Sequence, residues 1–302
     1  MTQVALPIAA RERLLDRFGP VAAAWISDFG ALVEELCQKW ALEPQAVHTG
    51  GTGAVVECVS TTGGTRYALK LSPDSTVTEQ EAAALTYWTD APTVVDLVDA
   101  DATRSAILLE WLPASTELPA AAWGIADVAG LIGDLYLRRG TLPAGFPRAR
   151  ERVEFVFGLW DRRRRTLRDS PIDAAVWRRC REAALNMADE GNSLLHGDLH
   201  PGNILRVGGQ RRIVTIDPRP CIGDPAMDLT DLALAGATSE KAIRSRCGQL
   251  ADIADPIDAD RLWLWCCSFA PIVAVSLARR SGGTEDIILM RNLASRRWAS
   301  AR

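Results

Sequence analysis

The run His196 to Leu205, HGDLHPGNIL, rules out a helix in the middle of a half-chain otherwise patterned for helices. Gly197 and Gly202 loosen the backbone there, and Pro201 fixes φ while removing a hydrogen-bond donor. What is left is a bent loop that runs into a short apolar strand, Ile204 to Val207. A second short strand, Arg212 to Ile216, follows and delivers Asp217 at its end. A loop of this kind can aim several polar side chains at one point. Those it carries are His196, Asp198, His200 and Asn203, with Asp217 beyond the hairpin.

Around this loop the texture of the chain changes once. Residues 20–42 are patterned as an amphipathic helix, with Trp25, Phe29, Leu32, Leu36 and Trp40 at helical spacing. A Gly/Thr-rich turn, His48 to Gly53, precedes the strand Ala54 to Ser60; the turn Thr61 to Gly64 leads into the strand Thr65 to Leu71. A helix from about Val77 to Thr89 and two further strands, Thr93 to Val98 and Ser105 to Leu109, complete a β-β-α-β-β order. Beyond it, helices are expected at 120–139, 148–168, 172–189, 225–237, 239–254, 259–279 and 285–299. The expected class is α+β: a small antiparallel sheet with one helix in residues 1–110, then a mostly helical unit in 111–302, the two meeting near Glu110 to Pro119.

Composition narrows the function classes. A net charge of -4 argues against a nucleic-acid partner, and the run Arg162 to Arg165 is read as a solvated helix face. Seven scattered cysteines with no Cys-x-x-Cys pair fit buried free thiols in a reducing cytoplasm. The first residues lack the pattern of a signal peptide. The longest uncharged stretch, Leu262 to Ala278, is just short of a membrane span, contains Pro271, and is read as a buried core helix. A cytoplasmic monomer or weak dimer with no membrane partner is therefore expected. Only three lysines stand among 34 basic residues, which makes each of them informative.

Phosphoryl transfer asks a protein for a carboxylate to accept the substrate's hydroxyl proton, oxygen ligands for magnesium, and a cation on the phosphates. Asp198, Asn203 five residues later and Asp217 after the hairpin meet the first two needs at the spacing used by protein kinases. Lys70, ending the strand Tyr-Ala-Leu-Lys, matches the strand lysine that contacts the α- and β-phosphates. A zinc site from His196, Asp198 and His200 is the competing reading, but it needs a helix that Pro201-Gly202 truncates. A plain polar turn would explain one of these residues and not the set.

HGDLHPGNIL followed by IDPRPCIGDPAMDLTDLA resembles the aminoglycoside phosphotransferase family of antibiotic kinases, which share a bilobal protein-kinase-like fold. The Asp217-Pro-Arg-Pro-x-x-Gly-Asp224-Pro form most resembles its streptomycin 6-phosphotransferase and hydroxyurea phosphotransferase branch. The resemblance implies ATP and Mg2+ as cofactors, Asp198 as catalytic base, and Asn203 and Asp217 as magnesium ligands. It also implies a structural role for His196 and a bracing role for Asp224. Glu81 is the implied partner of Lys70, with Glu79 as the fallback. Gly51 and Gly53, in a glycine-rich run without the full Gly-x-Gly-x-x-Gly spacing, are expected over the phosphates, and Glu110 to Leu112 at the adenine hinge.

The acceptor implied is a small cationic molecule, most simply a streptomycin-type aminoglycoside. Asp228, Asp231, Asp255, Asp258 and Asp260 are candidates to bind it by location alone; for each, a solvated helix face or a helix cap is the favoured reading, and Asp258 looks especially like a cap. Hydroxyurea phosphorylation, or a metabolic kinase acting on an amino sugar, are the alternatives. A pseudokinase is opposed by the intact Lys70, Asp198, Asn203 and Asp217, and a protein kinase by the absence of an Ala-Pro-Glu segment after Asp217.

Overall fold

A computed structural model of the chain describes residues 4–49, 53–113, 116–117, 124–137, 140–208, 213–255, 257–280 and 282–296. The chain divides into two compact units, residues 1–90 with 94–114, and residues 91–93 with 115–302.

The first unit is a five-stranded antiparallel sheet with helices. Its elements are α1 (Ile8–Phe18), α2 (Pro20–Lys39), β1 (Leu42–Thr49), β2 (Ala54–Ser60), β3 (Arg66–Leu71), α3 (Ser75–Tyr87), β4 (Leu97–Asp101) and β5 (Ala106–Glu110), and the strand order is β1-β2-β3-β5-β4. In β2, Ala54, Val56 and Cys58 are buried while Val55, Glu57 and Val59 are half-buried, the period of two that a pleated strand imposes. Ala54, Val56, Leu69 and Leu71 join Phe29, Val33 and Leu36 of α2 in one apolar core. Lys70 lies between Leu69 and Leu71, so the pleat sends it to the other face of the sheet. There α3, capped by Asp74 through its side-chain bond to Thr76 N at 3.1 Å, meets β4 and β5.

Two details differ from the sequence reading. The helix expected to run to residue 42 stops at Lys39, and β1 pairs with β2 from Leu42↔Ser60 to Thr49↔Ala54. Pro44 and Gln45 hide this strand, because a bulge between Pro44 and Ala46 breaks its alternation. The strand expected over Thr93 to Val98 instead forms β4 at Leu97–Asp101.

The second unit is mostly helical: β6 (Thr116–Glu117), α4 (Ile125–Tyr136), α5 (Ala149–Arg165), α6 (Ala174–Met187), β7 (Ser193–Leu195), β8 (Ile204–Arg206), β9 (Ile213–Thr215), β10 (Cys221–Gly223), α7 (Pro225–Asp228), α8 (Thr230–Leu234), α9 (Glu240–Ala251), α10 (Ala259–Arg279) and α11 (Thr284–Ser295). The helix expected over 225–237 is two short ones, and β7 and β10 form a small antiparallel ladder that the sequence reading misses. α10 is long and apolar enough to cross a membrane, yet 61% of its most apolar window is buried, against α5, α6, α8, α9 and α11. That packing is what a core helix shows. All seven cysteines are buried and free.

Candidate active site

The β7–β10 and β8–β9 ladders hold the two ends of the His196–Asn203 loop. Gly197 sits at φ +75°, and a Cβ on it would lie 1.9 Å from the Arg219 carbonyl oxygen, so no other residue fits. The close approach is sealed by Arg219 N donating to His196 O at 2.7 Å. The His196 ring is fully buried, with Nε2 3.0 Å from Ile216 O and Nδ1 accepting from Asp198 N at 3.3 Å. A carbonyl can only accept, so Nε2 carries the proton. Burial pushes the imidazole down to about 4, and it stays neutral. This is the structural role the resemblance implies.

Two groups the sequence reading places elsewhere, or misses, hold this loop. Asp228 accepts from His196 N at 2.5 Å, Gly197 N at 2.8 Å and the Tyr136 hydroxyl at 2.9 Å. Burial raises its carboxyl to about 6, while those three bonds favour the charged form. Asp228 is thus occupied in bracing the loop, which corrects its candidacy for the acceptor. Arg152, one turn into α5, donates through Nε to Gly197 O and through Nη2 to Asp198 Oδ1, both at 2.7 Å. No local signal marks Arg152, because it lies 46 residues upstream of its partner.

Asp198 is left with one committed oxygen and one open one. Its Oδ2 meets only Asn203 Nδ2 at 3.5 Å, the outer limit of a hydrogen bond. Asn203 Nδ2 also donates to Asp198 O at 2.9 Å, which fixes the amide so that its nitrogen faces the loop. Asn203 Oδ1 therefore points away and accepts nothing from the described residues. The hairpin ties Asn203 to the strand before Asp217, since Ile216 N donates to Asn203 O at 2.9 Å. Asp217 is in the left-handed region at φ 59°, which is uncommon for a residue with a side chain. An amide oxygen and a carboxylate are hard oxygen donors of the kind magnesium takes, so the chemistry of Asn203 and Asp217 fits that ion. The His196 ring is buried against Ile216 O, and His200 Nδ1 accepts from Gly202 N at 3.1 Å, so both rings are engaged by backbone groups. Among the described residues no cluster of three metal-ligating side chains occurs.

In the first unit, Lys70 Nζ lies 2.6 and 2.7 Å from the two oxygens of Glu81, with both side chains buried. Glu79, the fallback partner, is exposed. Gly53 is required by packing, since a Cβ there would lie 1.8 Å from Leu71 O. Gly51 lies outside the described residues. Glu110 ends β5, its N donating to Asp96 O at 3.0 Å and its carboxylate accepting from Asp96 N at 2.9 Å; Leu112 follows, half-buried.

The remaining acidic candidates separate by what they touch. Asp224 caps α7 through Ala226 N at 2.9 Å, pairs with Arg261, and accepts from Trp265 Nε1 at 3.0 Å. Asp258 caps α10 through Arg261 N at 2.6 Å. Asp260 is exposed beside Arg244, and Asp255 is exposed. Asp231, at the start of α8, is half-buried.

Residues 39–281 match the model of the aminoglycoside/hydroxyurea antibiotic resistance kinases. The chain is 34% identical over 217 residues to streptomycin 6-kinase of Streptomyces glaucescens, covering 70% of this chain and 69% of that protein. It is 30% identical over 251 residues to hydroxyurea phosphotransferase of Kitasatospora aureofaciens, covering 77% and 69%. In fold it is similar to the choline kinase LicA from Streptococcus pneumoniae (TM-score 0.59, 14% identity, 87% of this chain and 97% of that one). It is also similar to the macrolide 2'-phosphotransferase MphH from Brachybacterium faecium (TM-score 0.53, 18% identity, 90% and 99%). These likenesses establish the protein-kinase-like fold. The chain belongs to the aminoglycoside/hydroxyurea antibiotic resistance kinase family, and it is a phosphotransferase acting on the hydroxyl group of a small molecule.

Proposed function

We propose that this kinase transfers the γ-phosphoryl group of magnesium-bound ATP to a hydroxyl of a cationic, streptomycin-type aminoglycoside. The observation that carries the reading is the state of Asp198. One of its oxygens is held by Arg152 at 2.7 Å, and the other has only a marginal contact at 3.5 Å. That second oxygen accepts the hydroxyl hydrogen of the substrate, orients the alcohol, and takes its proton as the new P–O bond forms and the bond to ADP breaks. Asn203 Oδ1 and the Asp217 carboxylate would hold the magnesium, and Lys70, held in place by Glu81, would contact the α- and β-phosphates. The chemistry magnesium supplies is neutralisation of charge on the phosphoryl oxygens. Seven free buried thiols favour a reducing cytoplasm as the place of action.

The similarity to a streptomycin 6-kinase supports the aminoglycoside as acceptor. Hydroxyurea is the second reading, favoured by the longer match, 251 residues, to the hydroxyurea phosphotransferase. The two differ in charge. A cationic acceptor binding carboxylates loses affinity as salt is added, whereas neutral hydroxyurea does not. ADP release measured with streptomycin, other aminoglycosides, hydroxyurea and amino sugars tests the proposal. Turnover of streptomycin with a KM that rises with salt supports it. Turnover confined to hydroxyurea or to an amino sugar overturns it.

A further inference from the structure

The acceptor's charge needs a counter-charge that the protein has not already spent. Asp198 cannot supply it, because its carboxylate is ion-paired with Arg152 at 2.7 Å. Asp228 is filled by three donors, Asp224 by Arg261 and Trp265, and Asp258 by the first turn of α10. Asp231 differs from all of them. Its carboxylate accepts no hydrogen bond and forms no ion pair among the described residues.

Its position is set by Asp228. The chain continues helically from α7 into α8, with Thr230 Oγ1 bonded to Ala226 O at 3.1 Å and Ala233 N to Leu229 O at 3.0 Å. Residues three apart on such a turn share a face. Asp228 on that face touches the backbone of His196 and Gly197, so Asp231 stands on the side that faces the catalytic loop. It is near enough for His200, Asp198 and Arg152 each to bear on its charge, and burial lifts its carboxyl to about 6. An anion that is half-buried, unpaired and ionised at neutral pH gains from a cation more than an exposed one does.

We infer that Asp231 binds the ammonium or guanidinium group of the acceptor, next to the hydroxyl that Asp198 receives. The inference rests on the functional reading above and deepens it: Asp198 discriminates by hydroxyl position, and Asp231 by charge. A neutral acceptor makes no use of it.

The experiment compares wild type with Asp231→Asn and Asp231→Glu, using streptomycin, hydroxyurea and Mg-ATP as the varied substrates. Asp231→Asn is nearly isosteric, and a thermal melt confirms that it folds. The expected result is a KM for streptomycin raised about 30-fold or more, kcat lowered no more than about threefold, and KM for Mg-ATP unchanged. Asp231→Glu recovers part of the loss, and the salt dependence of the streptomycin KM flattens in Asp231→Asn. A streptomycin KM within about twofold of wild type in Asp231→Asn overturns the inference and leaves the functional reading standing. If wild type turns over no cationic acceptor, the functional reading fails, and the inference with it.

Discussion

Arg152 grips the His196–Asn203 loop at two points, donating from Nε to Gly197 O and from Nη2 to Asp198 Oδ1, both at 2.7 Å. The planar guanidinium sets both bonds at once, which an ammonium cannot do. In the proposed mechanism Arg152 is a positioning residue, because it occupies Asp198 Oδ1 and leaves Oδ2 with only a marginal contact. Arg152→Ala should lower kcat by about a hundredfold and Arg152→Lys by about tenfold, with Mg-ATP affinity unchanged in both. Steady-state kinetics beside calorimetric ATP titration checks this. Equal losses in the two variants would speak against the two-point grip.

Asp217 combines a left-handed backbone at φ 59° with a proposed magnesium carboxylate, and two substitutions separate these. Asparagine tolerates that conformation and alanine does not, so Asp217→Ala should lose about 1 kcal/mol of stability that Asp217→Asn keeps. Both should lose magnesium-dependent ATP binding. Melting curves read the first effect and titrations with and without magnesium the second; unchanged Mg-ATP affinity in Asp217→Asn would refute the ligand assignment.

The buried His196 ring makes the stability of the fold depend on pH. Its folded value of about 4 lies below the ordinary 6.5, so between these the unfolded chain binds more protons than the native one. Its contribution is fully present above pH 6.5 and is lost as pH falls toward 4. Asp228, raised to about 6, works in the opposite sense between about 4 and 6, but it is common to wild type and His196→Asn. The advantage of wild type over His196→Asn should therefore shrink by about 3 kcal/mol from pH 7 to pH 4, measured by urea unfolding. A pH-independent difference would mean that the ring is charged or exposed.

What the sequence made legible was what neighbouring residues determine. The limits of α10 follow from its apolar pattern and the Asp258 cap, and the loop around Asp198 from Gly197 and Pro201. Lys70 is marked by its place at the end of a strand. Arg152 was not legible, because one arginine in an arginine-rich helix looks like the next until tertiary structure brings it to Asp198. Asp228 misled for the same reason: a helical aspartate reads alike whether it faces solvent or two backbone amides. β1 was hidden by the bulge beside Pro44.

The central claim is that Asp198 transfers the proton as a phosphoryl group passes from ATP to a streptomycin hydroxyl. Mass spectrometry of streptomycin incubated with enzyme, ATP and magnesium tests it most directly, with Asp198→Asn run in parallel. The account predicts streptomycin carrying one added phosphate with wild type, and formation slowed about a hundredfold or more in Asp198→Asn while ATP still binds. Unmodified streptomycin with the wild-type enzyme, or phosphorylation at a near-normal rate by Asp198→Asn, would contradict it.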